Sequence, residues 1–107
     1  DIGFKSGSFE LSDPALQFVK NFTSLPGFKT RTVEVVGHTD SAGEPQANAD
    51  LSTKRAEAVK AVLVENGFPA GQIKTVGKGE EELLVKPDND DIAKAKNRRI
   101  EFSVLTQ

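Results

Sequence analysis

A chain of 107 residues with 36% hydrophobic and 28% charged positions sits in the range of ordinary globular proteins, long enough for one domain whose core needs no disulfide or metal. Lys and Arg number 14 against 16 Asp and Glu, a net charge of -2, which excludes the strongly basic field that draws a domain onto nucleic acid. Cysteine is absent, which removes disulfides, thiol nucleophiles and cysteine-based zinc sites, and no apolar run approaches the roughly 20 residues of a membrane span.

The chain opens on Asp1, with no basic stretch and apolar run that would form a signal peptide. It is expected to be processed or excised from a longer protein, with any membrane attachment in segments outside these residues. Ile2 to Lys5 is a short strand candidate, followed by a polar turn at Ser6, Gly7 and Ser8. Asp13 can cap a helix with Pro14 at its first position, and Ala15, Leu16, Val19, Phe22 and Leu25 recur at helical spacing until Pro26 and Gly27 stop it. Thr32 to Val36 is β-branched at most positions and reads as a strand delivering Gly37, His38, Thr39 and Asp40 at its end. Pro45 suits the first turn of a second helix running to about Asn66, with Gly67 as its left-handed stop. Gln72 to Val76 makes a third strand, and Lys78 to Asp91 is a polar loop. Ile92 to Lys96 forms one helical turn, and Arg99 to Leu105 alternates Ile100, Phe102 and Val104 with polar residues as a half-buried strand does. One domain over 1–107 is expected, of α/β (α+β) class, with helices packed on one face of a small sheet.

On the second helix, Asn48, Ser52, Arg55, Val59, Val62 and Leu63 fall on one face, with Leu51 beside them. A guanidinium aligned with core residues needs an anionic partner, because an uncompensated buried charge costs several kcal/mol. Asp40 is the leading candidate, since the loop Ser41 to Glu44 folds the helix start back beside the strand end. Periodicity alone leaves two readings about equal: a structural ion pair at the edge of the core, or a ligand site. An adjacent acid and base would suit a zwitterionic amino acid, the acid accepting from its ammonium and the guanidinium clamping its carboxylate. The free N–H groups near Pro45 to Ala47 would favour a carboxylate at the same mouth.

Other residues carry less. Asn48 can bond a ligand or fasten the 41–47 loop, and Thr39 can do the same or cap the loop. His38 is the only histidine; without a ring partner or a nucleophile motif it reads as a packed or half-exposed strand residue, and no catalytic residue, metal or cofactor is expected. Gly77 to Glu80 lacks phosphate-loop spacing and reads as a turn. Asp88 to Asp91 lacks the Gly and Glu of a calcium loop and reads as solvated loop, with Asp90 a helix cap. Arg98 reads as a partly buried cation that needs a partner, which an ion pair fixing the last strand would supply.

The run from Gly37 to Arg55, with Thr39, Asp40, Asn48, Leu51 and Arg55 in order, resembles the signature of the OmpA-like domain of Gram-negative envelopes. So do Ile2 and Phe4, Ser6 to Leu11, Ala56 and Val59, Gly77 to Glu80, and Asn97-Arg98-Arg99, so that the likeness covers nearly the whole chain. The resemblance implies a two-layer β-α-β-α-β-(α)-β fold with a mixed four-stranded sheet in order 1-4-2-3. It also implies a non-catalytic domain of the periplasm that binds peptidoglycan through the diaminopimelate of the stem peptide and anchors a larger envelope protein. On that resemblance Asp40 and Arg55 hold the ligand, with Thr39, Asn48, Leu51 and Arg98 around them. The chain departs from the pattern in the acidic run Glu80 to Glu82, the late Pro87, and Lys94 to Lys96, which puts the rim of the pocket at issue more than its centre. A scaffold that works through protein contacts is the alternative.

Overall fold

The computed structural model describes residues 2–4, 7–25, 27 and 30–105. The parts of the sequence reading that fall on Lys5, Ser6 and Pro26 lie outside them. The elements run β1 (Ile2–Gly3), α1 (Asp13–Thr23), β2 (Thr32–Gly37), α2 (Pro45–Glu65), a 3-10 turn (Ala70–Gln72), β3 (Ile73–Gly77), α3 (Asp91–Asn97) and β4 (Arg99–Leu105).

The strands form one mixed sheet in the order β1-β4-β2-β3. β2 and β3 are parallel, with Val33 opposite Ile73 and Gly37 opposite Gly77, and α2 supplies the crossover that parallel neighbours require. β4 runs antiparallel to β2, pairing Val35 with Phe102 and Gly37 with Ile100, and its first residues take β1 on the other side. Helices α1 and α2 touch, and α2 lies on β2 and β3. Between them sits the core of Phe4, Ala15, Val19, Val33, Val35, Ala56, Val59, Leu63, Phe68, Ile73 and Ile100. Of the stripe read from the sequence of α2, Asn48, Ser52, Arg55, Val59 and Leu63 are buried and Val62 is partly buried, and Ala56 joins the buried face.

Several boundaries differ from the sequence reading, each for a local reason. Ser12, not Asp13, caps α1, accepting from the Ala15 N–H at 3.3 Å; Asp13 adds negative charge to the first turn, where the helix dipole favours it. The helix ends at Thr23 because hydroxyls take over the carbonyls of its last turn. Thr23 Oγ1 donates to Lys20 O at 2.8 Å and Ser24 Oγ to Asn21 O at 2.9 Å, leaving Leu25 48% exposed rather than in the core. Helix α2 ends at Glu65 with Asn66 as its cap, and Gly67 follows with a φ of +91°, a conformation that costs glycine little. The α3 helix is longer than one turn, and Asp90 caps it by accepting from Ala93 N–H at 2.8 Å. In β4 the alternation holds only in part: Arg99 is buried beside Ile100, while Val104 is exposed. The loop after β3 covers that end of the sheet, and Arg99 Nη2 donates to Glu82 O at 3.1 Å.

Candidate functional site

Strand β2 ends at Gly37, and the next three residues continue into the body of the domain rather than out to solvent. His38, Thr39 and Asp40 are all buried. Thr39 N–H donates to Gly79 O at 2.9 Å and its hydroxyl to Asp40 O at 2.8 Å, so its side chain braces the loop. Asn48, in the first turns of α2, donates through Nδ2 to Ala42 O and to Glu80 Oε1, each at 3.0 Å. Of the two roles open to Asn48 and Thr39 on sequence alone, fastening the loop is the one these bonds perform.

Arg55 is buried. Its Nε donates to Ser8 O at 2.8 Å and Nη1 to His38 O at 3.1 Å, and the guanidinium carbon stands 5.0 Å from the centre of the Phe4 ring. Two carbonyls and an aromatic face fix the plane of the cation. Burial first, and then the charge of Arg98, draw its pKa down to about 10, with Asp40 opposing them. It is therefore still a cation at neutral pH.

The ion pair of Asp40 is with Arg98, not with Arg55: Arg98 Nη1 lies 2.9 Å from Asp40 Oδ2. Asp40 Oδ1 accepts from Ala42 N–H at 3.0 Å, and Arg98 Nε donates to Phe4 O at 2.8 Å. Arg98 thus ties Asp40 to the segment following β1. The sequence reading had paired Asp40 with Arg55 because the intervening loop brings them together. Arg98 is remote in sequence, and its position one residue before β4 brings it to the same place.

Thr39, Asp40, Asn48, Leu51, Arg55 and Arg98 all line one cavity of about 270 Å³, completed by Gly7, Ala42 and Gly43. Ala42, Gly43 and Asn48 are among the residues that line it, and Pro45 to Ala47 are not. A carboxylate and two guanidinium groups line it, summing to one positive charge. Asp40 retains acceptor capacity beyond its two bonds, since a carboxylate offers about four lone-pair sites. A cavity with this lining can take a carboxylate and an ammonium together. A larger, more open groove of about 410 Å³ adjoins it through Arg98, lined also by Phe4, Leu11 and Glu10; it holds fewer charged groups and none of the other five residues. Gly7, Ala42 and Gly43 carry no side-chain chemistry that sequence reading could have singled out. Among the described residues no His, Asp and Glu side chains cluster to hold a metal ion.

His38 is fully buried, deeper than the sequence suggested. Its Nε2 is 3.2 Å from Glu101 Oε1, close enough for attraction but without hydrogen-bond alignment. Burial, then Arg99, pushes its pKa below the ordinary value, against Glu101 and Glu82. Below about pH 6.5 the unfolded chain binds a proton that the folded one resists, so stability falls as pH falls. The thermal midpoint is expected to drop between pH 7 and 5, with this one group contributing at most about 1.4 kcal/mol per pH unit. His38→Gln should flatten that slope, and an unchanged slope would contradict the assignment. Asp88 and Glu101, both held below the usual carboxylate range, titrate outside this window.

The sequence model of the OmpA family matches residues 3–98. Photosystem I P700 chlorophyll a apoprotein A2 of Gloeobacter violaceus is 37% identical over 110 residues, covering 97% of this chain and 12% of that protein. The peptidoglycan-associated lipoprotein of Pasteurella multocida is 46% identical over 67 residues, 63% of this chain and 44% of the lipoprotein. The chain thus spans less than half of either relative. Among solved structures, the peptidoglycan-associated lipoprotein of Burkholderia pseudomallei superposes with a TM-score of 0.91 at 27% identity, over 97% of this chain and 88% of that one. The chain belongs to the OmpA family, whose domains are non-enzymatic.

Proposed function

We propose that this OmpA-family domain binds peptidoglycan non-covalently, receiving the zwitterionic end of the diaminopimelate side chain between Asp40 and Arg55, and so holds a larger envelope protein to the cell wall in a Gram-negative periplasm. The observation that carries the reading is the convergence of Thr39, Asp40, Asn48, Leu51, Arg55 and Arg98 on one cavity. The ligand carboxylate meets Arg55, whose plane is already set, and the ammonium meets Asp40, whose orientation is already set by Ala42 N–H and Arg98. Because both groups are fixed before the ligand arrives, little side-chain entropy remains to be lost on binding. The relatives named as peptidoglycan-associated lipoproteins support peptidoglycan as the partner.

One observation favours a second reading. The Asp40–Arg98 ion pair and the carbonyl bonds of Arg55 satisfy much of the cluster internally, as they would in a scaffold that acts through protein contacts. Sedimentation with diaminopimelate-type sacculi separates the two. Retention of the folded domain, reversed by soluble diaminopimelate tripeptide and releasing no muropeptides, is the expected result. A domain that stays in the supernatant would overturn the ligand reading in favour of the scaffold.

A further inference from the structure

Asp88 stands in an acidic run that reads as solvated loop, yet it is 4% exposed. Its Oδ2 accepts from the Ser41 N–H at 2.9 Å and from Asn97 Nδ2 at 3.2 Å, and its Oδ1 accepts from the Ser41 hydroxyl. Lys94 Nζ lies 4.0 Å from Oδ1 and donates to the Asp88 carbonyl. Ser41 directly follows Asp40, and Asn97 directly precedes Arg98. One buried carboxylate therefore bonds both neighbours of the Asp40–Arg98 ion pair, although the members of that pair are 58 positions apart.

Asn97, with no exposed surface, extends the clasp. Its Oδ1 accepts from Leu84 N–H at 2.7 Å and Val85 N–H at 2.9 Å, and its Nδ2 donates to Val85 O at 3.0 Å. The segment from Leu84 to Asp88 is in this way fastened to the end of α3 on one side and to the loop after β2 on the other. Asp88 does not itself line the cavity.

We propose that Asp88 is a positioning residue for the binding pocket, holding Ser41 and Asn97 so that the Asp40 carboxylate and the Arg98 guanidinium meet in the geometry that leaves Asp40 open to the ligand ammonium. The inference rests on the reading of the pocket given above. The bonds are charge-assisted and buried, the class with the greatest effect when one partner is removed. Although burial raises the Asp88 pKa, the bonds from Ser41 and Asn97 and the charge of Lys94 outweigh it and keep the carboxylate ionised.

The test uses Asp88→Ala and the near-isosteric Asp88→Asn, each assayed by calorimetry with a soluble diaminopimelate muropeptide and by side-chain NMR. Asp88→Ala should weaken muropeptide binding by tenfold or more. The further loss from Arg98→Ala should be much smaller in that background than in the wild type, because Asp88 acts through the ion pair. Without ligand, the Arg98 Nε–H signal should shift and exchange faster in either variant. If the two affinity losses simply multiply, or the Arg98 signal is unmoved in folded protein, Asp88 only stabilises the fold and the proposal is overturned. If the wild type binds no muropeptide, the reading of the pocket fails, and the Arg98 signal in Asp88→Asn still decides whether the clasp sets the ion pair.

Discussion

Arg55→Ala is expected to abolish retention on diaminopimelate-type sacculi. On the proposed reading, the substitution removes the guanidinium that would meet the ligand carboxylate and would leave that carboxylate facing Asp40. Truncating one member of a desolvated charge pair costs about 2–5 kcal/mol, or roughly 30- to several-thousand-fold in affinity. Asp40→Ala should do the same from the other side, by freeing Arg98 and removing the acceptor for the ammonium. Arg55→Lys should also fail, because an ammonium cannot span the Ser8 and His38 carbonyls and present a planar face at once. The structure adds a stability cost, through carbonyl bonds rather than an ion pair with Asp40. Loss of the Arg55 side chain orphans acceptors in a fully buried position, at about 1–3 kcal/mol for each unsatisfied group. Calorimetry and sedimentation on the same samples separate the effects: if the folded fraction of Arg55→Ala binds sacculi as the wild type does, the pocket has no part in wall binding.

Gly37→Ala should be strongly destabilising. A Cβ at Gly37 would lie 2.0 Å from the backbone oxygen of Ser52 and 2.9 Å from its carbonyl carbon, so no side-chain rotation can relieve the clash. Either α2 lifts from β2 or the strand end shifts, and both carry Asp40 away from Arg55. Overpacking in a well-filled core costs about 1–3 kcal/mol when side chains can give way; here backbone meets backbone, and the loss should reach or exceed the top of that range. Urea unfolding of Gly37→Ala beside the wild type measures it. A midpoint within error of the wild type would mean that α2 and β2 are less closely packed than described.

What the sequence made legible follows from the range of each signal. The β-branched run of β2, the apolar stripe of α2 from Val59 to Leu63 and the Gly67 stop are local patterns, and their elements formed with boundaries shifted by about a residue. The convergence of the candidate site was legible because its acid, its base and their neighbours lie in one stretch, Thr39 to Arg55, whose order fixes how the helix returns to the strand. The partner of Asp40 was not: Arg98 reaches it only because β4 inserts between β1 and β2, a pairing that no local periodicity encodes. Asp88 was misread for the same reason. In sequence it belongs to a polar run, and its burial is created by Ser41 and Asn97, which are remote along the chain. The hydroxyls of Ser12, Thr23 and Ser24 set the ends of α1 by bonds that compete with equally plausible alternatives one residue away.

The most direct measurement of the central claim is an NMR titration of the isotope-labelled domain with a stem tripeptide ending in meso-diaminopimelate, run beside the tripeptide ending in lysine, which lacks the second carboxylate. The diaminopimelate peptide should shift the amides of Thr39, Asp40, Asn48, Leu51 and Arg98 in a saturable way, with the lysine peptide weaker by at least tenfold. Equal responses to the two peptides, or shifts that leave the Asp40 and Arg98 region untouched, would contradict the assignment of this pocket to the zwitterionic end of diaminopimelate.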